Sequence, residues 1–378
     1  MTHQADEQFF VAKRSWSKQK DRILEGYLSN YLPKVSQAIG RPILVVDGFV
    51  GPGKFSDNSD GSPLLIARCI ARSRFSAKLI AIEANASLHK QLCDTLGPFS
   101  FATAKHGSFE EHLGDILQAS KTHSVFLFLD PFALKGLDLA SLDHVFRLLE
   151  AGSSIELLLN FNAFAFCRCA RASLKAPLEI DEEAAPVPTL SPAVLNTIAG
   201  GDWWQEFVAP DVSFVDQVDN TILGFRKTLE TRFKHVQFYK VFASDSHRIP
   251  KYFLVFASRS DTALSLMNDE AVNARREFLA NEYPRDSGLF DIVQLEKTRH
   301  GADIDATILA GAREWTERGT LIQHVIECWF GYLLRKEIRS RIQELLRTGH
   351  LASKDGRTTL NDNALIRQCE PPPLLFDS

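Results

Sequence analysis

Residues 45–57, VVDGFVGPGKFSD, end an apolar run in an aspartate, three glycines and a lysine. Two different nucleotide chemistries use such a strand end. Gly48 to Lys54 fits G-x-x-x-x-G-K, a loop whose backbone N–H groups surround phosphate oxygens. Asp47 to Gly53 fits D-x-F-x-G-x-G, where Gly48, Phe49, Gly51 and Gly53 let the backbone approach S-adenosylmethionine and Asp47 lies near its amino acid portion. A phosphate loop needs Ser or Thr after the lysine to hold magnesium; here that residue is Phe55. Pro52 also removes one of the N–H groups such a loop uses. The spacing favours S-adenosylmethionine and leaves a P-loop-like nucleotide hydrolase as a third reading.

Three more strand ends supply matching chemistry. Glu83, followed by Ala84, closes LIAIE and can accept hydrogen bonds from two ribose hydroxyls. Gly107 and Ser108 follow FATAKH and would line an adenine pocket, with His106 read as structural. Asp130, Pro131 and Phe132 follow VFLFL; there Asp130 could accept a hydrogen bond from an exocyclic amine while Phe132 stacks on a base. Asn160 in LLLNFN ends the next run on the same side and could meet substrate. Methyl transfer needs an in-line, desolvated nucleophile more than a strong base, so these residue types suffice. DPFA resembles the D-P-P-Y signature of amino methyltransferases without its second proline.

The elements that must position these residues are legible as a program. Residues 8–40 carry Trp16, Ile23, Leu24, Tyr27, Leu28 and Tyr31 at helical spacing, predicting one or two amphipathic helices divided at Pro33. Seven β-like runs follow: PILVVDG, KLIAIEA, FSFATAK, VFLFLDPF, IELLLNFN, VQFYKVFA and YFLVFAS. The first five alternate with helical segments, as a parallel sheet covered on both faces requires. The last two are joined only by SDSHRIPK, too short for a crossover helix, so they pair antiparallel. The predicted fold is α/β, a Rossmann-like class I methyltransferase sheet of seven strands ending in an antiparallel hairpin, spanning 1–295 with its N-terminal helices. An insertion of about 70 residues, near 165–225, is expected to serve as a lid or recognition element.

From about residue 300 the pattern becomes helical and then turns about Asp355-Gly356, which predicts a small winged-helix domain over 300–378. Residues 332–357 hold seven basic and three acidic side chains. Arg335, Lys336, Arg339, Lys354 and Arg357 are therefore candidates for contacting nucleic acid phosphates.

Bulk composition narrows the classes. With 378 residues, 45% hydrophobic, 24% charged and net charge −4, the chain can bury a large core and lacks a uniformly basic surface. No apolar run has membrane-spanning length and the first residues lack the apolar core of a signal peptide, so a cytoplasmic, non-membrane protein is expected. Six scattered cysteines, only Cys167 and Cys169 being close, read as reduced thiols, and no metal site is expected. Carbon-5 pyrimidine chemistry would need a cysteine nucleophile; Cys167 is the nearest candidate and lacks a Pro-Cys context.

Taken together, Trp16, Lys18 to Lys20, VDGFVGPGKFSD with GSPLL, AIEAN, FLDPF, YFLVFAS and the final winged helix resemble the three-Cys-motif partner protein family (TcmP) over nearly the whole chain. The family loop is usually D-G-F-A-G-P-G, and Val50 stands in place of its alanine. The resemblance implies a bacterial methyltransferase-like domain with a C-terminal winged helix, acting beside a three-cysteine-motif partner protein in nucleic-acid modification, repair or defence. The expectation is an S-adenosylmethionine-dependent methyltransferase acting on nucleic acid, DNA or RNA, at a base nitrogen. The alternative is a non-catalytic methyltransferase-like module that docks the partner protein.

Overall fold

Runs such as ILVVD and SVFLFL have no polar side to offer water, and both lie wholly buried in the middle of a sheet. A computed structural model of the chain describes residues 15–131, 134–140, 142, 146, 154–174, 189–208, 212–244, 247, 249–282, 292–357 and 360–369. The chain divides at Ser260/Asp261 into two compact units.

The first unit holds the strands β1 (Ile43–Asp47), β2 (Ala77–Glu83), β3 (Ala102–His106), β4 (Ser124–Leu129), β5 (Ile155–Phe161), β6 (His235–Val241) and β7 (Tyr252–Ser258). All seven predicted runs form strands. Their order in the sheet is β3-β2-β1-β4-β5-β7-β6. The first five are parallel, and β7 runs antiparallel to both β5 and β6. The direction of connection reverses between β1 and β4, so the crevice outside their carboxyl ends is where an open α/β sheet holds ligand.

Period-two alternation sends successive side chains to opposite faces. Leu44, Val46, Leu127, Leu129, Leu157 and Leu159 point into one core, with Leu195, Ile198, Trp204, Val218, Ile222 and Phe225 packed over them. Those last residues belong to α6 (Pro192–Ala199), a 3₁₀ turn (Trp203–Glu206) and α7 (Phe214–Glu230), which follow α5 (Ala163–Ser173). In its described part, the segment expected as a lid is therefore a covering layer of the sheet. The KAPLEIDEEAAPVP portion lies outside the described residues. Three further helices accompany the strands: α2 (Ser62–Arg72), α3 (Ala86–Leu96) and α4 (Leu113–Ser120).

The other face is covered by α1, Ser15–Ile39. One helix stands where Pro33 was expected to divide two. The proline costs roughly 3 kcal/mol of local helix stability, but Ile23, Leu24, Tyr27 and Leu28 before it and Tyr31 and Leu32 beside it are all fully buried. Packing of the turns that precede Pro33 anchors the helix, which continues past it to Ile39. Tyr27 packs tilted against Phe126 and edge-on to Phe256, with centroids 5.5 and 5.4 Å away, and its hydroxyl donates to the Glu156 carboxylate.

The second unit contains α8 (Asp261–Glu282), α9 (Ile292–Gly311), β8 (Thr316–Glu317), α10 (Arg318–Cys328), α11 (Arg335–Arg347), β9 (Leu351–Ser353) and β10 (Leu365–Gln368). Its three short strands pair antiparallel in the order β8-β10-β9. The predicted boundary fell between 295 and 300, whereas the observed unit starts at Asp261. Inside it, Asn268 of α8 donates to the Leu333 carbonyl, accepts from Gly331 N–H at 2.9 Å and so ties α8 to the turn before α11.

Burial pushes the Glu156 carboxyl from 4.5 up to about 7, opposed only partly by hydrogen bonds from Tyr27 and Ser258. The folded state thus binds this proton more tightly than the unfolded chain, and stability falls as pH rises from about 4.5 to 7 and levels off above. The contribution is about 3 kcal/mol. Glu156→Gln is expected to remove that share of the decline, so thermal melts of mutant and wild type should diverge between pH 5 and pH 8, the mutant being more stable at pH 8. Parallel melting curves at the two pH values would contradict the assignment.

Candidate functional site

The loop after β1 is held by its own backbone. Gly48 N–H donates to the Phe128 carbonyl at 3.0 Å, Val50 N–H to Ile82 at 3.3 Å, and Gly61 N–H to Gly53 at 2.8 Å. Gly51 and Gly53 take φ of 65° and 82°, which side chains disfavour. At Gly48 the reason is different from the expected one: a Cβ there would stand 2.6 Å from Leu129 and 2.9 Å from Phe109, so protein atoms rather than a ligand exclude it. Phe49 packs against Phe109, its ring centroid 6.0 Å away.

Glu83 sits at the end of β2, almost fully buried, and braces this loop. One carboxylate oxygen accepts from Gly51 N–H at 2.7 Å and the other from Asn85 N–H at 2.6 Å. A carboxylate offers about four lone-pair sites, so each oxygen keeps one for a further donor. Ala84 is exposed beside it. Gly107 N–H donates to the Glu83 carbonyl at 3.1 Å, which sets the end of β3 next to the same loop. The Ser108 hydroxyl accepts from Glu111 N–H at 3.4 Å and so caps the turn that follows.

Asp47 is fully buried, and neither of its carboxylate oxygens has a hydrogen-bond partner. Burial is the main reason its carboxyl is pushed up to about 7; the Asp130 charge adds to the shift. Ser62 and the Phe49 N–H lie near enough to oppose it without either completing a hydrogen bond.

Asp130, just past β4, is an engaged residue. Lys20 of α1 forms an ion pair with its Oδ2, and Asn160 Nδ2 donates to its Oδ1 at 2.6 Å. Both carboxylate oxygens therefore have partners inside the protein, and the role expected for Asp130, accepting from a substrate amine, falls on an occupied group. Pro131 is partly buried next to it; Phe132 lies outside the described residues. The Asn160 Oδ1 atom is buried with no partner. Leu129 pairs with Leu159 across β4 and β5, so Asp130 and Asn160 are neighbours on adjoining strand ends.

Lys20 was not singled out by its chemistry in the sequence. Its ammonium also lies 5.9 Å from the centre of the Phe128 ring. Burial opposes its charge, but Asp130, Asp21 and Asp47 more than offset this and hold its pKa above the ordinary lysine value. The available signal was helical spacing: Lys20, Tyr27 and Tyr31 stand at i, i+7 and i+11 on one face of α1. Tyr252, at the start of β7, belongs to the same surroundings; burial first, then the charges of Asp130 and Asp21, push its hydroxyl pKa well up.

Other candidates fall away from this edge or lose their chemistry. The Cys167 thiol is buried 3.2 Å from the Thr221 hydroxyl, and burial pushes it up to about 12, which makes it inert as a nucleophile. Among the described residues no group of three His, Cys, Asp or Glu is arranged to hold a metal. Lys54 is exposed and its backbone forms an isolated β-bridge with Asp60, while Phe55 supplies no magnesium ligand. Among the described residues no helix is long and apolar enough to cross a membrane.

In the second unit the basic residues divide. Arg335 and Arg339 both pair with Asp362, and so does Arg318 at 2.9 Å. Lys336 and Lys354 are exposed, and Arg357, 79% exposed, lies 3.9 Å from Asp355.

A seven-stranded sheet in the order 3-2-1-4-5-7-6 with only the seventh strand antiparallel is the class I S-adenosylmethionine-dependent methyltransferase fold. No family model and no curated protein matches the chain. Solved structures that resemble it include the DszA carbon methyltransferase, 15% identical over 60% of this chain and 50% of that one, with a TM-score of 0.33. Another is a methyltransferase from Geobacter sulfurreducens, 18% identical over 41% and 67%, with a TM-score of 0.23. The plantazolicin methyltransferase BamL, solved with a triazolic desmethylPZN analogue and S-adenosylhomocysteine, is 14% identical over 65% and 88%, with a TM-score of 0.29. The fold class rests on the strand order of this chain rather than on likeness at these scores.

Asp362→Ala leaves Arg318, Arg335 and Arg339 facing one another without a counter-charge. The expected loss is about 1–3 kcal/mol, read as a lower thermal midpoint of the full chain with unchanged helix content by circular dichroism. An unchanged midpoint would mean that these contacts carry no stability.

Proposed function

We propose that the first unit transfers a methyl group from S-adenosylmethionine to a nitrogen of a nucleic acid base. The observation that carries this is Asp47: a fully buried carboxylate with two unpartnered oxygens, at the crevice where the direction of connection reverses. An orphaned buried acceptor costs roughly 1–3 kcal/mol, and a cationic donor in the crevice removes that cost. The ammonium of the cofactor's amino acid end is such a donor, and the remaining lone pairs of Glu83 fit ribose hydroxyls. Bound there, the cofactor supplies an electrophilic methyl on a sulfonium.

The chain's residues do the rest by position. Glu83 holds Gly51 and thus the shape of the loop, while Asp47 and Glu83 supply acceptors at two separated points, enough to fix an adenosyl cofactor's orientation. α1 covers the sheet face on which Asp47, Asp130 and Asn160 lie and keeps water from the acceptor side, where a neutral amine needs only to be aligned and dry.

For the substrate polymer, support comes from the second unit. From α9 onward its order of helix, strand, two helices and two strands fits a winged helix, and Lys336, Lys354 and Arg357 are exposed on it. These three suit phosphate contacts better than Arg335 and Arg339, whose charges Asp362 already meets. The three-cysteine-motif protein remains the partner we infer, on the resemblance of the loop and strand-end motifs alone.

Calorimetric titration with S-adenosylmethionine tests the cofactor step. Binding is expected, weakened by about 1–3 kcal/mol in Glu83→Ala and also weakened in Asp47→Asn, which keeps the volume but removes the charge. Absence of binding by wild type would leave a methyltransferase-shaped docking module as the function.

A further inference from the structure

Three side chains from distant parts of the chain form one line at the carboxyl edge: Lys20 on α1, Asp130 after β4 and Asn160 on β5. Lys20 meets one oxygen of Asp130, and Asn160 Nδ2 meets the other at 2.6 Å. A carboxylate only accepts, so Asp130 takes the NH₂ side of the Asn160 amide and turns its carbonyl oxygen the other way. That oxygen, Oδ1, is buried and has no partner.

We propose that Asn160 Oδ1 is the atom that receives an N–H of the acceptor amine, and that Lys20 and Asp130 are positioning residues that fix the Asn160 amide for it. This deepens the methyltransferase reading and rests on it, by transferring to Asn160 the contact that the sequence suggested for Asp130.

The physical case has three parts. An amide rotated by half a turn would present its NH₂ group to the acceptor nitrogen, where it would compete for the lone pair that must attack. Asp130 forbids that rotation, because the turned amide would set its oxygen against a carboxylate. Asp130 is in turn held in place by Lys20, which meets its other oxygen with the opposite charge from α1. Finally, a neutral amide oxygen accepts a hydrogen bond without removing the proton. This suits an exocyclic amine, which attacks through its lone pair and releases one N–H proton to solvent after the new N–C bond has formed and the sulfonium C–S bond has broken. The class of acceptor is therefore a nitrogen bearing at least one N–H, as in adenine or cytosine, and a tertiary ring nitrogen does not satisfy Asn160.

The test has two arms on the full chain. In the first, nuclear magnetic resonance of the Asn160 side-chain amide, with and without S-adenosylhomocysteine, reports whether the group is locked. Slowly exchanging, non-rotating NH₂ protons are expected in wild type, retained in Lys20→Arg and lost in Asp130→Ala. A freely rotating wild-type amide overturns the positioning role, whatever the enzyme does.

In the second arm, methyl transfer from radiolabelled S-adenosylmethionine is measured on single-stranded DNA and RNA oligonucleotides containing adenine and cytosine. Asn160→Leu is expected to lower kcat about 100-fold with cofactor affinity within twofold of wild type. Lys20→Met should lower kcat about tenfold, and Lys20→Arg should restore most of it. Wild-type transfer with kcat unchanged in Asn160→Leu overturns the proposal and leaves the methyltransferase standing. Cofactor binding with no transfer to any oligonucleotide overturns the acceptor role and the nucleic-acid reading together, and a locked amide in that case would confine Lys20 and Asp130 to structural work.

Discussion

Three carboxylates, those of Asp130, Asp21 and Asp47, act on one ammonium, that of Lys20, in a largely dehydrated region of the first unit. Removing that ammonium would leave uncompensated charge in a low-dielectric site, a far larger penalty than the net worth of the pair itself. The geometry of the edge follows from this constraint. Lys20 can reach Asp130 only when α1 lies flat on the sheet, and α1 lies flat because Tyr27 and Tyr31 fill the aromatic surface formed with Phe126 and Phe256. Apolar packing therefore supplies the register, and the ion pair makes any other register expensive.

The loop beside it obeys a second constraint, the close approach of β1, β2 and β4. Gly48 has no space for a Cβ beside Leu129, and the Gly51 amide is held by Glu83. A loop shaped this fully by protein contacts is preorganised, so ligand binding need not also order it. Asp47 stands as the counterpart: a carboxyl pushed up to about 7 by burial, with no completed hydrogen bond to either oxygen. Unrelieved burial of this kind concentrates at functional sites. Glu156 carries a shift of similar size for a purely internal reason, since the Tyr27 hydroxyl donates to it. The two residues show that the presence of partners, more than the shift, separates a site from a core contact.

In the second unit one aspartate organises three arginines. Asp362 joins the start of α10, through Arg318, to the first turns of α11, through Arg335 and Arg339. The positive charge that sequence alone would distribute over α11 is thereby partly internal. Lys336, Lys354 and Arg357 retain the outward field that a polyanion would meet.

Fold class was legible because hydrophobic runs, turn residues and the short link between the last two strands are local properties of the chain. The parallel order, the hairpin and the positions of Asp47, Glu83, Asp130 and Asn160 at strand ends all follow from period, length and punctuation. Pro33 was misjudged because its helix-breaking tendency is local, whereas the burial that overrides it comes from the sheet. Which carboxylate would be free and which engaged was not legible either: Lys20 and Asp130 are 110 positions apart, and Asp130 and Asn160 are 30 apart. The sequence by itself determined the strands, their order of appearance and the chemistry available at their ends. Only the tertiary structure decided that Asp130 is paired, that Asn160 holds the open acceptor and that Asp47 is left unsatisfied, because hydrogen bonds and desolvation depend on which distant groups the packed sheet and helix bring within 3 Å.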